Sequence, residues 1–184
     1  MKHCLLLLLF LLFPTIGSAQ QLALKTNTLF WLTGTPNVGG EIGASRQFTF
    51  GLWGAYNAWK YPDEMKLNLY AAEAEARYWF CRKFEGHFLG VHGQFGHFNI
   101  GQISFIPSLK EHVLRGDLHG GGLTYGYHWA LGERWGLEAM LGVGYLRLKY
   151  DKLKCAECGE RVGRYDHNYY GPTRAGVSLI YFLH

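Results

Sequence analysis

The feature that most restricts the fold of this chain is a period-two alternation that recurs from residue 22 almost to the C-terminus. Successive side chains of a β-strand leave the pleat on opposite sides, so this alternation marks strands with two different faces. Val38, Gly40, Ile42 and Ala44 share one phase, and Asn37, Gly39, Glu41 and Gly43 the other. Phe48, Phe50, Leu52, Gly54 and Tyr56 form a further one-sided set. Ala72, Ala74, Ala76, Tyr78 and Phe80 alternate with Glu73, Glu75, Arg77 and Trp79. Ala and Glu are strong helix formers, but the strict period and the aromatic ending read as strand.

The second half is more regular. Leu89, Val91, Gly93 and Phe95 oppose Gly90, His92, Gln94 and Gly96, and Leu123, Tyr125, Tyr127 and Trp129 oppose Gly122, Thr124, Gly126 and His128. Trp135, Leu137, Ala139, Leu141, Val143 and Tyr145 face away from Gly136, Glu138, Met140, Gly142 and Gly144. Thr173, Ala175, Val177, Leu179, Tyr181 and Leu183 face away from Arg174, Gly176, Ser178, Ile180 and Phe182. With the less regular residues 22–30, the count is eight strands.

Short and long connections take turns. Residues 45–47, 81–86 and 131–134 read as tight turns, whereas residues 59–66, 101–117 and 149–167 read as long links. Only the first link, residues 33–36, is short where the pattern wants a long one. Such asymmetry belongs to an all-β, eight-stranded antiparallel up-and-down transmembrane β-barrel. Phe48, Phe80, Trp129, Trp135 and Tyr181 gather at the short-turn side, where an aromatic girdle sits at a bilayer interface. A soluble lipocalin-like barrel would turn its apolar face inward. Here the non-apolar face carries Glu41, Glu73, Glu75, Arg77, His92, Gln94, Glu138 and Arg174, a poor lining for an apolar calyx.

Composition agrees with one folded domain. Aromatic residues make up 16% and charged residues 17% of the 184, which argues against disorder. The net charge of +4 is spread without a basic tract, so no nucleic-acid partner is expected. Residues 1–19 read as a signal peptide: Lys2 and His3, an apolar run over 5–13, then Gly17-Ser18-Ala19. Cys4 precedes that run, which argues against a lipid-anchored N-terminus. Residues 20–184 are then the barrel domain, delivered to the outer membrane after export. No later run reaches the roughly 20 apolar residues of a membrane-spanning helix.

The ending Arg174-Ala-Gly176-Val-Ser-Leu179-Ile-Tyr181 fits a polar-x-Gly-x-x-apolar-x-aromatic insertion signal. Gly176, Leu179 and Tyr181 are its expected carriers, and barrel-assembly machinery its expected reader. Further short segments carry a resemblance. They are Leu24-Lys25-Thr26-Asn27, Thr35-Pro36-Asn37, Glu75-Ala-Arg77-Tyr78-Trp79, Gly86-His87-Phe88, Tyr125-Gly126-Tyr127-His128-Trp129, Cys155-Ala-Glu-Cys158-Gly159 and Asn168-Tyr169-Tyr170-Gly171-Pro172-Thr173. In these the chain resembles an uncharacterised domain-of-unknown-function family of exported Bacteroidetes proteins. The resemblance implies an outer-membrane barrel, with some members encoded near fimbrillin-type adhesin genes. It brings no activity and no catalytic residues.

Glu41, Glu75, Arg77, Glu138 and Arg174 are expected to form a buried charge network in the lumen. An eight-stranded barrel is about filled by its own side chains, so neither an open channel nor a luminal small-ligand site is expected. For an enzyme the candidates are His92, His97, His112, His119, His167, Ser104, Ser108 and Ser178, but no nucleophile motif surrounds them. Cys155 and Cys158 offer two thiolates where a structural zinc needs about four ligands. A loop disulfide is therefore expected before a metal, and no cofactor is expected. Cys81, on the opposite side, is left unpaired. Phe105, Ile106 and Leu109 form an apolar loop stretch suited to contact with a partner.

The expected role is non-enzymatic: a surface scaffold or interaction protein whose loops meet a surface protein or polysaccharide, with outer-membrane lipid around it. A link to fimbria or cell-envelope assembly comes from the resemblance alone. A lipid- or lipopolysaccharide-modifying barrel enzyme is the alternative.

Overall fold

The structure, a computed structural model, describes residues 21–59, 66–101, 113–153 and 161–183. Its strands are β1 (Leu22–Asn27), β2 (Asn37–Gly43), β3 (Phe48–Asn57), β4 (Lys66–Trp79), β5 (Gly86–Gly101), β6 (Val113–Ala130), β7 (Trp135–Leu153) and β8 (Arg161–Leu183). One helical turn, α1 (Thr28–Trp31), follows β1. Each strand pairs antiparallel with the next, and β8 returns to β1 to close the sheet into a ring. Closure leaves no edge along the paired stretch, where Leu22 faces Leu183 and Asn27 faces Ser178.

The first strand is shorter than residues 22–30. The Asn27 amide donates to the Asn37 side chain at 2.7 Å, and the Asn27 carboxamide accepts from the Leu29 amide at 3.1 Å. A side chain that takes over backbone donors in this way ends a ladder and caps a helical turn. The long links are also shorter than the alternation implied. Lys149 pairs with Asp166 and Tyr150 with Tyr165, so β7 and β8 continue far into residues 149–167, and β6 begins at Val113.

The ring is therefore lopsided. β1 and β2 have 6 and 7 residues, whereas β6, β7 and β8 have 18, 19 and 23. A tall wall rises on one side of the mouth. At its foot β6 and β7 approach closely: a Cβ on Gly120 would collide with the Tyr145 carbonyl oxygen, and one on Gly122 with that of Val143. Gly122→Val should push the two backbones apart and cost about 3 kcal/mol, an overpacking penalty. A fall in the urea-unfolding midpoint at constant m-value would register it.

The interior is layered along the axis. At the short-turn end Trp79, Phe84, Phe88, Ile180 and Phe182 form a buried apolar cluster. Phe84 sits in the β4–β5 turn with a φ of 63°, a conformation that a bulky residue rarely adopts. That backbone turns its ring back into the barrel, 5.1 Å from Phe182 and 5.6 Å from Trp79. Above this plug lie charges.

Candidate functional site

Arg77 is the hub of the charged layer. Its Nη1 lies 2.6 Å from Glu138 Oε2 and 3.0 Å from Glu41 Oε2, and its Nη2 lies 3.0 Å from Glu138 Oε1. Its Nε donates to Glu75 Oε2 at 2.7 Å, and the guanidinium covers the Phe88 ring at 4.2 Å. Lys25 Nζ reaches Glu41 at 2.5 Å, and Thr49 donates to the other Glu41 oxygen. Arg174 Nη1 lies 2.7 Å from Glu75 and 2.9 Å from Glu73. The structure thus brings Glu41, Glu75, Arg77, Glu138 and Arg174 into one network and adds Lys25 and Glu73. Isolated buried ions cost several kcal/mol each, so such groups persist only when paired and hydrogen-bonded.

Above the charges a β-bulge changes the lining. Gly142 faces Arg174 and Val143 faces Pro172, so Thr173 is an extra residue in β8. A bulge places two residues opposite one and shifts the phase. Thr173 therefore does not share the outward phase of Ala175, as simple alternation implies. Its hydroxyl meets His92 Nε2 at 3.1 Å, and its carbonyl accepts from Gln94 at 3.2 Å. His92 Nδ1 meets Thr124 at 2.8 Å, so both ring nitrogens are engaged.

The lumen is not filled. A cavity of about 150 Å³ lies between Asn27, Phe30, Trp53, Glu73, Gln94, Met140, Thr173, Arg174 and Ala175. Its Asn27 wall is tied into a polar knot: Asn37 donates to the Asn27 carbonyl at 3.0 Å and to the Thr35 carbonyl at 3.3 Å, and Asn57 donates to the Thr35 hydroxyl at 2.9 Å. Phe30 packs against Trp53 at 4.8 Å across the mouth.

Of the catalytic candidates, Ser178 is buried on the inner face and His97 pairs with Asp117 at 2.8 Å. His119 and His167 stand exposed on the tall wall, while His112, Ser104 and Ser108 lie outside the described residues. So do the expected contact residues Phe105, Ile106 and Leu109, the expected disulfide cysteines Cys155 and Cys158, and the expected signal peptide at residues 1–19. Cys81 is an exposed free thiol. Among the described residues no group of three or more His, Cys, Asp or Glu is arranged to hold a metal ion. Gly176 faces inward beside Met140 and Asn27, and Tyr181 meets Trp135 edge to face, with ring centroids 4.9 Å apart.

The outer surface has two zones. Around the ring Leu52, Val91, Phe95, Leu123, Leu141 and Val143 are each more than half exposed. Farther up the tall wall the phases exchange roles. His97, Asp117, His119, Arg147, Lys149 and Asp166 take the outward positions, and Phe98, Leu118, Leu146 and Leu148 the inward ones. Arg147 holds Asp166 through two donors, at 3.0 and 2.7 Å.

No curated protein and no solved structure matches this chain. One family model does, over residues 4–183, and the chain accordingly belongs to the family described as protein of unknown function (DUF3575).

Proposed function

We propose that the closed ring is an outer-membrane β-barrel, exported behind the signal peptide of residues 1–19, that carries its tall wall as an interaction surface outside the bilayer. The observation that carries this reading is the exchange of phases along β5–β8. Apolar-out and polar-in suits a strand in lipid, and polar-out suits the same strand once it leaves lipid. The outward aromatics Tyr70 on β4 and Phe80 just after it, and Trp135 and Tyr145 on β7, bracket the apolar zone. Ten residues at about 3.3 Å each, tilted by about 40°, span about 25 Å, the height of the apolar band of such barrels.

The role is non-enzymatic. Among the described residues β8 has no strand partner on the β1 side above Ser178, so its upper part offers an open edge beside a charged outer face. Open edges accept an extended strand, and exposed charged faces suit polar partners. A surface protein is the favoured partner and a polysaccharide the second. Gly176, Leu179 and Tyr181 serve recognition by the barrel-assembly machinery. A place in fimbria or envelope assembly in Bacteroidetes rests on the family resemblance alone.

The test is cross-linking of intact cells with a membrane-impermeant lysine reagent, followed by mass spectrometry. Lys149 and Lys152 on the tall wall are the expected handles, with Lys60, Lys110 and Lys154 outside the described residues. Links from these lysines to a surface protein support the reading. Absence of labelling at both wall lysines overturns the topology.

A further inference from the structure

The seam that closes the ring, between β1 and β8, is short. Backbone pairing between them ends at Asn27 and Ser178, and the β8 bulge lies just above. There α1 crosses the gap, and two side-chain bonds replace a ladder. Asn27 Nδ2 donates to the Ala175 carbonyl at 3.3 Å, and Thr28 Oγ1 donates to the Val177 carbonyl at 2.8 Å.

Two spaces meet at this seam. Inside is the cavity of about 150 Å³, with Asn27, Glu73, Gln94, Thr173 and Arg174 on its walls. Outside is an apolar groove of about 400 Å³ on the outward face, with Leu29, Tyr125, Leu141 and Val177 on its walls. Both are bounded by Met140 and Ala175. The barrier is thin because Ala175 and Gly176 supply almost no side chain.

The chemistry inside the cavity selects its occupant. Arg174 and Glu73 present opposite charges 2.9 Å apart, and both side chains are more than nine-tenths buried. Arg174 Nη1 lies between two carboxylates, 2.9 Å from Glu73 and 2.7 Å from Glu75. An anionic head would meet Glu73 and Glu75, and a purely cationic one would meet Arg174. A head with both signs can exchange the internal pair for two external ones. The apolar groove outside matches a hydrocarbon chain.

We infer that the β1–β8 seam is a lateral binding site for one membrane lipid with a zwitterionic, ammonium-bearing phosphate head. The head enters the Glu73–Arg174 cavity and an acyl chain lies in the groove beside Leu29. The inference rests on the membrane reading above.

The experiment uses the full mature barrel in nanodiscs of equal phosphatidylethanolamine and phosphatidylglycerol. Insertion is read first, by heat-dependent gel mobility, and retained lipid is then counted by native mass spectrometry. One phosphatidylethanolamine per barrel is expected, preferred over phosphatidylglycerol by about tenfold. Glu73→Gln should abolish the preference by removing the ammonium's partner. Ala175→Trp, which fills the seam from its outward position, should abolish retention without touching the charges. An inserted barrel that retains both lipids equally, or an inserted Ala175→Trp variant that keeps the preference, overturns the seam site alone. Failure of the wild type to insert overturns the membrane reading and the site together.

Discussion

Replacing Arg77 with Met is expected to cost about 3–5 kcal/mol, the penalty for leaving buried charges without their partner. Arg77 is fully buried and is the cation that Glu138, Glu41 and Glu75 share. Glu41 keeps Lys25 and Glu75 keeps Arg174, so the loss falls mainly on Glu138. Urea unfolding of the detergent-refolded protein should show a lower midpoint with an unchanged m-value. Arg77→Lys should recover little, because an ammonium cannot match the two oxygens of Glu138 at once. The double variant Arg77→Met, Glu138→Met should recover most of the loss, since it removes the stranded carboxylate as well. A single Arg77→Met variant as resistant as the wild type would show that water reaches these carboxylates and that the network contributes little.

The strand count and five members of that network were legible because burial on one face imposes a strict period of two. Lys25 carried the same signal: Leu22 and Leu24 share one phase, and Ala23 and Lys25 the other. That signal is too short to read because residues 28–31 break the pattern, and the break comes from Asn27 binding backbone donors, which alternation does not encode. Simple alternation puts Thr173 on the wrong face for a related reason. A bulge inserts one residue and reverses the phase of everything beyond it, and Gly171-Pro172 is the only local hint. The tall wall was hidden by its own chemistry. Residues 113–117 and 149–153 alternate as well, but with charged residues in the phase that is apolar lower down, so they read as loop. The cavity was not legible at all, because it depends on where α1 lays Phe30 against Trp53.

Trp79→Ala is the second large effect, expected at about 3–5 kcal/mol, the range for removing a large aromatic from a packed interior. Trp79 is fully buried at the short-turn end, with ring centroids 4.9 Å from Phe88 and 5.6 Å from Phe84. Its indole N–H donates to Thr49 Oγ1 at 2.9 Å, and Thr49 in turn donates to Glu41. The ring therefore supports two layers at once, the apolar plug below and the charge network above. Trp79→Phe should separate the two contributions. It keeps most of the packing and loses only the indole donor, so about 1 kcal/mol is expected from the missing hydrogen bond, with the remaining volume change on top. Phe84 adds a sharper test. Its left-handed backbone is held by ring contacts with Trp79 and Phe182, so Trp79→Ala removes part of what restrains the β4–β5 turn. Limited proteolysis of the refolded protein should then show new cleavage at residues 81–85 in Trp79→Ala and none in Trp79→Phe. Equal protection of that turn in both variants would mean that Phe182 alone keeps the plug in place.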